Sequence, residues 1–158
     1  MNYTVSIMIA GIRTECWSQL YQTAKTAITN FSFEMIIVSP FSLPDYFKNI
    51  YNVKYVRDFG CPSRALQIAG ALAEGQLIMW ACDDGIFLEE SLIEPIQKLL
   101  DNLNKKLIIN LIYTEGNEYK FNKDPRMLDP ETWFRVNYHD DLIPLKGIDG
   151  NSIFTILF

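Results

Sequence analysis

Asp83 and Asp84 stand side by side at the end of an apolar run, Leu77-Ile78-Met79-Trp80-Ala81-Cys82, and Gly85 follows at once. Two adjacent ionised carboxylates repel, so the pair is best tolerated where a divalent cation or solvent screens it. Carboxylate oxygens are the ligands hard cations take, which makes Asp84, with Asp83 as helper, the candidate metal site. The plain alternative is a solvated turn, because Asp-Gly pairs are frequent turn formers. A second group, His139-Asp140-Asp141, holds the one histidine of the chain. It could act as a general base toward a hydroxyl proton, or be an ordinary solvated acidic loop. Arg13 and Arg64 each fall near an expected helix start, where backbone amides already favour anions; both are candidate phosphate contacts, with surface charge as the alternative.

These groups need elements to position them, and the hydrophobic pattern supplies them. Thr4 to Ile9 is a β-branched, nearly continuous apolar run, which predicts a strand buried on both faces. After Ala10-Gly11, the spacing of Trp17, Leu20, Tyr21, Ala24 and Ile28 predicts a helix, with Thr14 as N-cap and Glu15 in its first turn. Glu34 to Val38 predicts a second strand ended by Ser39-Pro40, parallel to the first through a right-handed crossover. Leu43 to Phe47 reads as a short helical piece opening on proline, and Val53 to Val56 as a third strand at an edge. Ala65, Leu66, Ala69, Leu72 and Ala73 make the stripe of a second helix that Gly75 is expected to close. The run that opens this section is the next strand. Ser91 to Leu103 predicts a helix with Pro95 in its first turn, or one that begins at Pro95. Lys106 to Tyr113 predicts a strand, Gly116 to Phe121 a hairpin or excursion, Asn122 to Asp149 an ordered loop, and Ile153 to Phe158 a last strand.

The chain of 158 residues is one domain's worth, 49% hydrophobic and 21% charged, as an ordinary globular protein is. Its net charge of −5 argues against a nucleic-acid partner, since phosphate-backbone affinity rests on clustered Lys and Arg. Cys16, Cys61 and Cys82 are odd in number and lack CxxC spacing, so free thiols in a reducing, cytoplasmic setting are expected. The start does not read as a signal peptide, and no apolar run approaches the roughly 18 residues of a membrane span. There is no GxGxxG after the first strand and no GxxxxGK[ST] anywhere, which weighs against the familiar phosphate-cradling loops and against a phosphotransfer domain.

Alternating strands and helices define an α/β fold, in which ligands bind beyond the carboxyl ends of the parallel strands. Ala10-Gly11-Ile12-Arg13, Ser39-Pro40 and Cys82-Asp83-Asp84 all fall at such ends. The order of these segments resembles the family 2 glycosyltransferases. Val5 to Arg13 is similar to that family's opening strand and nucleoside-receiving turn, Glu34 to Val38 to its second strand, and Gly60 to Gly75 to its glycine, helix and Ala-x-Gly sequence. On that alignment Cys82-Asp83-Asp84 occupies the DxD motif. Three positions depart from the family pattern: Cys82 replaces the first Asp, Ser39-Pro40 the acids after the second strand, and Gln67 the helix Asn.

The resemblance implies a GT-A-like three-layer α/β/α sandwich with a mixed, mostly parallel central sheet, in a single domain over 1–158. Residues 1–90 would be the nucleotide-binding half and 91–158 a partial, truncated acceptor-side half. It implies a metal-dependent glycosyltransferase that moves a sugar from a nucleotide-diphosphate donor, a UDP-sugar foremost, to a carbohydrate or glycan acceptor. Ala10, Gly11, Arg13, Ser39, Arg64, Gln67 and Asp83 would contact the donor, and Asp84 and Asp83 would hold Mn²⁺ or Mg²⁺. Asp140, Asp141 and His139 are the catalytic candidates, with Trp133, Phe134 and Tyr138 available to stack on a sugar face or to anchor the loop. The alternative reading is a non-catalytic or truncated nucleotide- or sugar-binding module of the same fold.

Overall fold

The structure is a computed structural model that describes residues 3–104, 108–113, 149–150 and 154–157. Seven strands form one sheet: β1 (Val5–Ala10), β2 (Phe33–Ser39), β3 (Val53–Arg57), β4 (Leu77–Ala81), β5 (Ile109–Tyr113), β6 (Asp149–Gly150) and β7 (Phe154–Leu157), in the order β3-β2-β1-β4-β7-β5-β6. β3, β2, β1 and β4 run parallel, whereas β7 runs antiparallel to both β4 and β5. The sheet is therefore mixed and mostly parallel, with β3 at its edge, as the sequence leads one to expect.

Among the described residues three α-helices cover it: α1 (Trp17–Ala27), α2 (Pro62–Leu72) and α3 (Ile93–Leu100). Period-two alternation along β1 decides which helix meets which face. Val5, Ile7 and Ile9 join Trp17, Leu20, Tyr21 and Ala24 of α1 and Ile96 and Leu99 of α3 in one apolar cluster. Met8, on the other face, packs with Ala65 and Ala69 of α2. Burial on both faces is what selects the near-continuous apolar runs of β1 and β2, and it makes the molecule a three-layer α/β/α sandwich. Small residues let α2 lie close to the sheet; a Cβ on Gly70 would meet Met8 Sδ at 3.7 Å, an ordinary contact.

Four local expectations are corrected. Thr14 is not the N-cap of α1, because the chain makes a further turn in which Cys16 N donates to Arg13 O, and the helix begins at Trp17 with Cys16 before it. Glu15 accordingly lies ahead of the first helical turn. Gly75 does not close α2, which ends at Leu72 with Ala73 already extended. Gly75 is needed for close approach instead: a Cβ there would fall 2.6 Å from Ser6 N and 2.7 Å from Ser6 Oγ. The third helix is shorter than Ser91 to Leu103, although Pro95 does sit in its first turn. The segments around Gly116 to Phe121 and Asn122 to Ile148, with Trp133, Phe134, Tyr138, His139, Asp140 and Asp141, lie outside the described residues.

At the amino end of the sheet, Glu34 is fully buried beside a hydroxyl, a backbone amide and an ammonium group. Ser6 Oγ donates to Glu34 Oε1 at 2.6 Å, Glu74 N donates to the same oxygen at 2.6 Å, and Lys54 Nζ lies 2.8 Å from Oε2. Gly75 N donates to Ser6 Oγ at 2.8 Å, so one network ties the α2–β4 connection to β1, β2 and β3. No helix among the described residues is long and apolar enough to cross a membrane.

Candidate functional site

In a doubly wound sheet a crevice opens at the carboxyl ends of the two strands between which the chain reverses its direction of travel. The order β3-β2-β1-β4 puts that reversal between β1 and β4. The turn Gly11-Ile12-Arg13 leaves β1 there and Cys82-Asp83-Asp84 leaves β4, so the candidate residues at the two strand ends meet across one crevice.

They meet in a defined way. Asp83 is 4% exposed and its carboxylate accepts three hydrogen bonds from the facing turn: Ile12 N and Arg13 N donate to Oδ2, each at 2.6 Å, and Arg13 Nη1 donates to Oδ1 at 2.5 Å. The same Arg13 Nη1 lies 3.2 Å from Asp84 Oδ2. Asp84 is 45% exposed, so its carboxylate opens to solvent while Asp83 is turned into the protein. The charge of Asp83, the hydrogen bond to it and then the charge of Asp84 hold the Arg13 guanidinium above its ordinary pKa. Burial pushes the Cys82 thiol up, and the charges of Asp84 and Asp83 push it further, so at neutral pH it is a thiol and not a thiolate.

Trp17 fixes the other side of the β1 turn. A Cβ on Gly11 would stand 2.6 Å from Trp17 Cζ2, so only glycine lets the fully buried indole lie against this turn. Ala10 is partly buried and packs on the α2 side of the sheet.

The other predicted contacts are distributed along the rim. Ser39 ends β2 but is only 1% exposed, and its hydroxyl accepts a hydrogen bond from Phe41 N at 3.1 Å within its own turn. Arg64, near the amino end of α2, is paired with Asp58 at the tip of β3: Nη2 and Nε lie 3.0 and 3.1 Å from Oδ1. Gln67 lies on the exposed side of α2. Sequence reasoning placed Ile12 in the strand-end turn without a role for its amide, which helps hold Asp83, and missed Asp58, which holds Arg64 and accepts from Gly60 N at 2.8 Å. It also missed Phe41 and Phe59, both exposed at strand ends. The available signal was position alone, each lying just beyond a predicted strand.

A divalent cation can be weighed against this donor set. Among the described residues no three His, Cys, Asp or Glu side chains gather into a ready-made cage. Asp83 already accepts from three donors, and sulfur at Cys82 is a soft ligand poorly matched to a hard cation. Asp84 does fit, as the single protein carboxylate of a cation that otherwise keeps water and substrate phosphate oxygens. Charge agrees with this: among the described residues two carboxylates and one guanidinium leave the crevice net negative, so a diphosphate there is helped by added positive charge.

No protein-family model matches the sequence, and no curated protein matches it. Solved structures do match the fold. The crystal structure of S. aureus TarS 1-349 superposes with a TM-score of 0.56 at 17% identity, covering 78% of this chain and 40% of that one. The same protein in complex with UDP-GlcNAc gives 0.56 at 16% identity, covering 78% and 39%. The mannosyltransferase PcManGT from Pyrobaculum calidifontis, in complex with GDP-Man and Mn²⁺, gives 0.50 at 12% identity, covering 65% and 34%. The chain spans about 40% of the length of the TarS structure. With four parallel strands, helices on both faces and these neighbours, the chain has a GT-A-like fold.

Proposed function

We propose that the protein is a metal-dependent glycosyltransferase that uses a nucleotide-diphosphate sugar, with residues 1–90 as the nucleotide-binding half and the remainder facing a carbohydrate or glycan acceptor. The observation that carries this reading is the pairing of Arg13 with Asp83 and Asp84 across the crevice between β1 and β4. The neighbours with UDP-GlcNAc and with GDP-Man and Mn²⁺ support it, because both are structures with a nucleotide-sugar and this fold.

Each residue has a distinct task in the reaction. Arg13 offers its guanidinium to the diphosphate oxygens as the sugar–phosphate bond breaks. Asp83 positions Arg13 and the Ile12–Arg13 amides and touches no substrate. Asp84 is the carboxylate that would hold Mn²⁺ or Mg²⁺; when bound, the cation supplies charge that stabilises the leaving diphosphate. Arg64, at the amino end of α2, is a second guanidinium near an end that favours anions. The acceptor hydroxyl forms the new bond to the sugar and loses its proton to a general base, for which Asp140, Asp141 and His139 are the candidates. The three cysteines are unpaired in the structure, which supports a reducing, cytoplasmic setting.

Calorimetric titration of the purified chain with UDP and Mn²⁺ tests the reading. Heat of binding that requires Mn²⁺ supports it, and the absence of heat overturns it. A second reading, a non-catalytic nucleotide-binding module, is favoured by one observation: Cys82 stands where a carboxylate belongs in the resembled motif. Transfer of sugar from a UDP-sugar by the purified chain would dispose of that second reading.

A further inference from the structure

We infer that Arg13 is the resting partner of Asp84, so that the crevice takes a divalent cation together with a diphosphate and holds the cation poorly by itself. The inference rests on the metal and nucleotide-sugar reading above and names how the two ligands of that site depend on each other.

One nitrogen makes the link. Arg13 Nη1 lies 2.5 Å from Asp83 Oδ1 and 3.2 Å from Asp84 Oδ2, so a single donor is shared by two consecutive carboxylates. The two contacts are unequal. Asp83 is 4% exposed and also accepts from the Ile12 and Arg13 amides, which fixes the turn from which the Arg13 side chain springs. The Asp84 contact is the longer one, and both of its partners are about half exposed, Arg13 at 47% and Asp84 at 45%. Exposed ion pairs are weakly held. The contact to Asp84, and not the one to Asp83, is therefore the one that a competing ligand opens.

A cation at Asp84 competes with Arg13 for the same carboxylate. The guanidinium keeps its charge at any working pH, and Asp83 holds it near Asp84 even after that contact opens. A cation bound there sits beside a like charge that cannot move far, which lowers its affinity.

A diphosphate reverses the sign of this relation. Among the described residues every hydrogen bond and ion pair of the Arg13 side chain runs through Nη1, which leaves Nε and Nη2 for phosphate oxygens. An anion between the guanidinium and the cation is attracted by both and separates their charges. Arg13 thus opposes the cation alone and favours it with its nucleotide. By linkage, cation and diphosphate raise each other's affinity by one common factor, and Arg13 enlarges that factor.

The test combines paramagnetic resonance titration of the full chain with Mn²⁺ alone and calorimetric titration with UDP, with and without Mn²⁺. It is run on the wild type, on Arg13→Gln, which keeps a donor for Asp83 without the charge, and on Arg13→Gln combined with Asp84→Asn. Arg13→Gln is expected to bind Mn²⁺ alone about three- to tenfold more tightly than the wild type, and the double variant to lose that gain. The factor by which Mn²⁺ improves UDP affinity should shrink in Arg13→Gln by about the same three- to tenfold. Mn²⁺ affinity that is unchanged or weaker in Arg13→Gln, or a gain that survives in the double variant, overturns the inference. If Arg13→Gln does not fold, the wild type still decides: a gain in UDP affinity of about tenfold or more with Mn²⁺ supports the coupling. UDP binding that Mn²⁺ leaves unchanged overturns the coupling while leaving nucleotide binding standing, and failure of UDP to bind the wild type overturns both.

Discussion

Arg13 and Asp83 lie 70 residues apart in the chain, yet the Arg13 guanidinium stands 2.5 Å from Asp83 Oδ1 while the Arg13 amide bonds Oδ2 of the same carboxylate. One buried acid thus fixes both the backbone and the side chain of the facing turn. This leaves the neighbouring Asp84 half exposed, so of two consecutive carboxylates one is turned into the protein and one toward solvent.

Replacing Asp83 by Ala leaves the Ile12 and Arg13 amides without their acceptor in a largely dry position. Urea denaturation is expected to register a loss of about 2 kcal/mol. UDP affinity in the presence of Mn²⁺ is expected to fall as well, because Arg13 is released. Asp83→Asn, which keeps one acceptor oxygen, should recover part of each loss.

Asp84→Asn should behave in the opposite manner. The side chain is half exposed, so folding stability is expected to change by no more than about 0.5 kcal/mol. The gain in UDP affinity conferred by Mn²⁺ should shrink by about tenfold or more, as befits a direct ligand when partners one shell further out already cost that much. Titrations with Mn²⁺ and with EDTA, run side by side, measure that difference.

Two glycines only five residues apart should respond with opposite signs to the same substitution. A Cβ on Gly75 meets backbone, 2.6 Å from Ser6 N and 2.7 Å from Val5 C. Gly75→Ala is therefore expected to destabilise by about 1–3 kcal/mol. Gly70 is helical and its nearest neighbour would be 3.7 Å away, so Gly70→Ala should stabilise by about 0.5–1 kcal/mol. Denaturation midpoints of the two variants decide the matter.

The Glu34–Lys54–Glu74 network predicts how stability varies with pH. Burial alone would lower the Lys54 pKa, but the hydrogen bonds and charges of Glu34 and Glu74 outweigh it and hold it above the ordinary 10.5. Its contribution is fully present below that value and is lost as pH rises through the raised folded value. Glu74 is held below its ordinary 4.5 by the hydrogen bond and charge of Lys54, so its contribution is present above 4.5 and is lost as pH falls through the lowered value. Lys54→Met removes the cation beside the buried Glu34 and should cost about 2–3 kcal/mol at neutral pH, less than for a wholly buried pair because Lys54 is itself about a third exposed. It should also flatten the alkaline fall, which thermal denaturation between neutral and strongly alkaline pH would record.

Much of the fold was legible because its signals are local. β1 and β2 bury both faces, so their sequences are apolar almost without interruption, and α1 carries its core contacts at helical spacing in Trp17, Leu20, Tyr21 and Ala24. Helix ends were harder to read, since Thr14 and Gly75 have the right residue types for capping. Contacts from elsewhere in the chain decided both: the turn through Arg13 is fixed by Asp83, and Gly75 is reserved for the approach of Ser6.

By itself the sequence determined the order of strands and helices, the parallel sheet they build and the arrival of Arg13 and Asp83-Asp84 at strand ends, because periodicity and adjacency are written along the chain. Only the tertiary structure decided which of the two carboxylates is buried and which is exposed. That choice depends on the amides and guanidinium of a turn 70 residues away. It also decided that Ser39 turns its hydroxyl inward while Phe41 and Phe59 stand out in its place, since side-chain direction at a strand end is set by the hydrogen bonds of the neighbouring strand and by no pattern within its own.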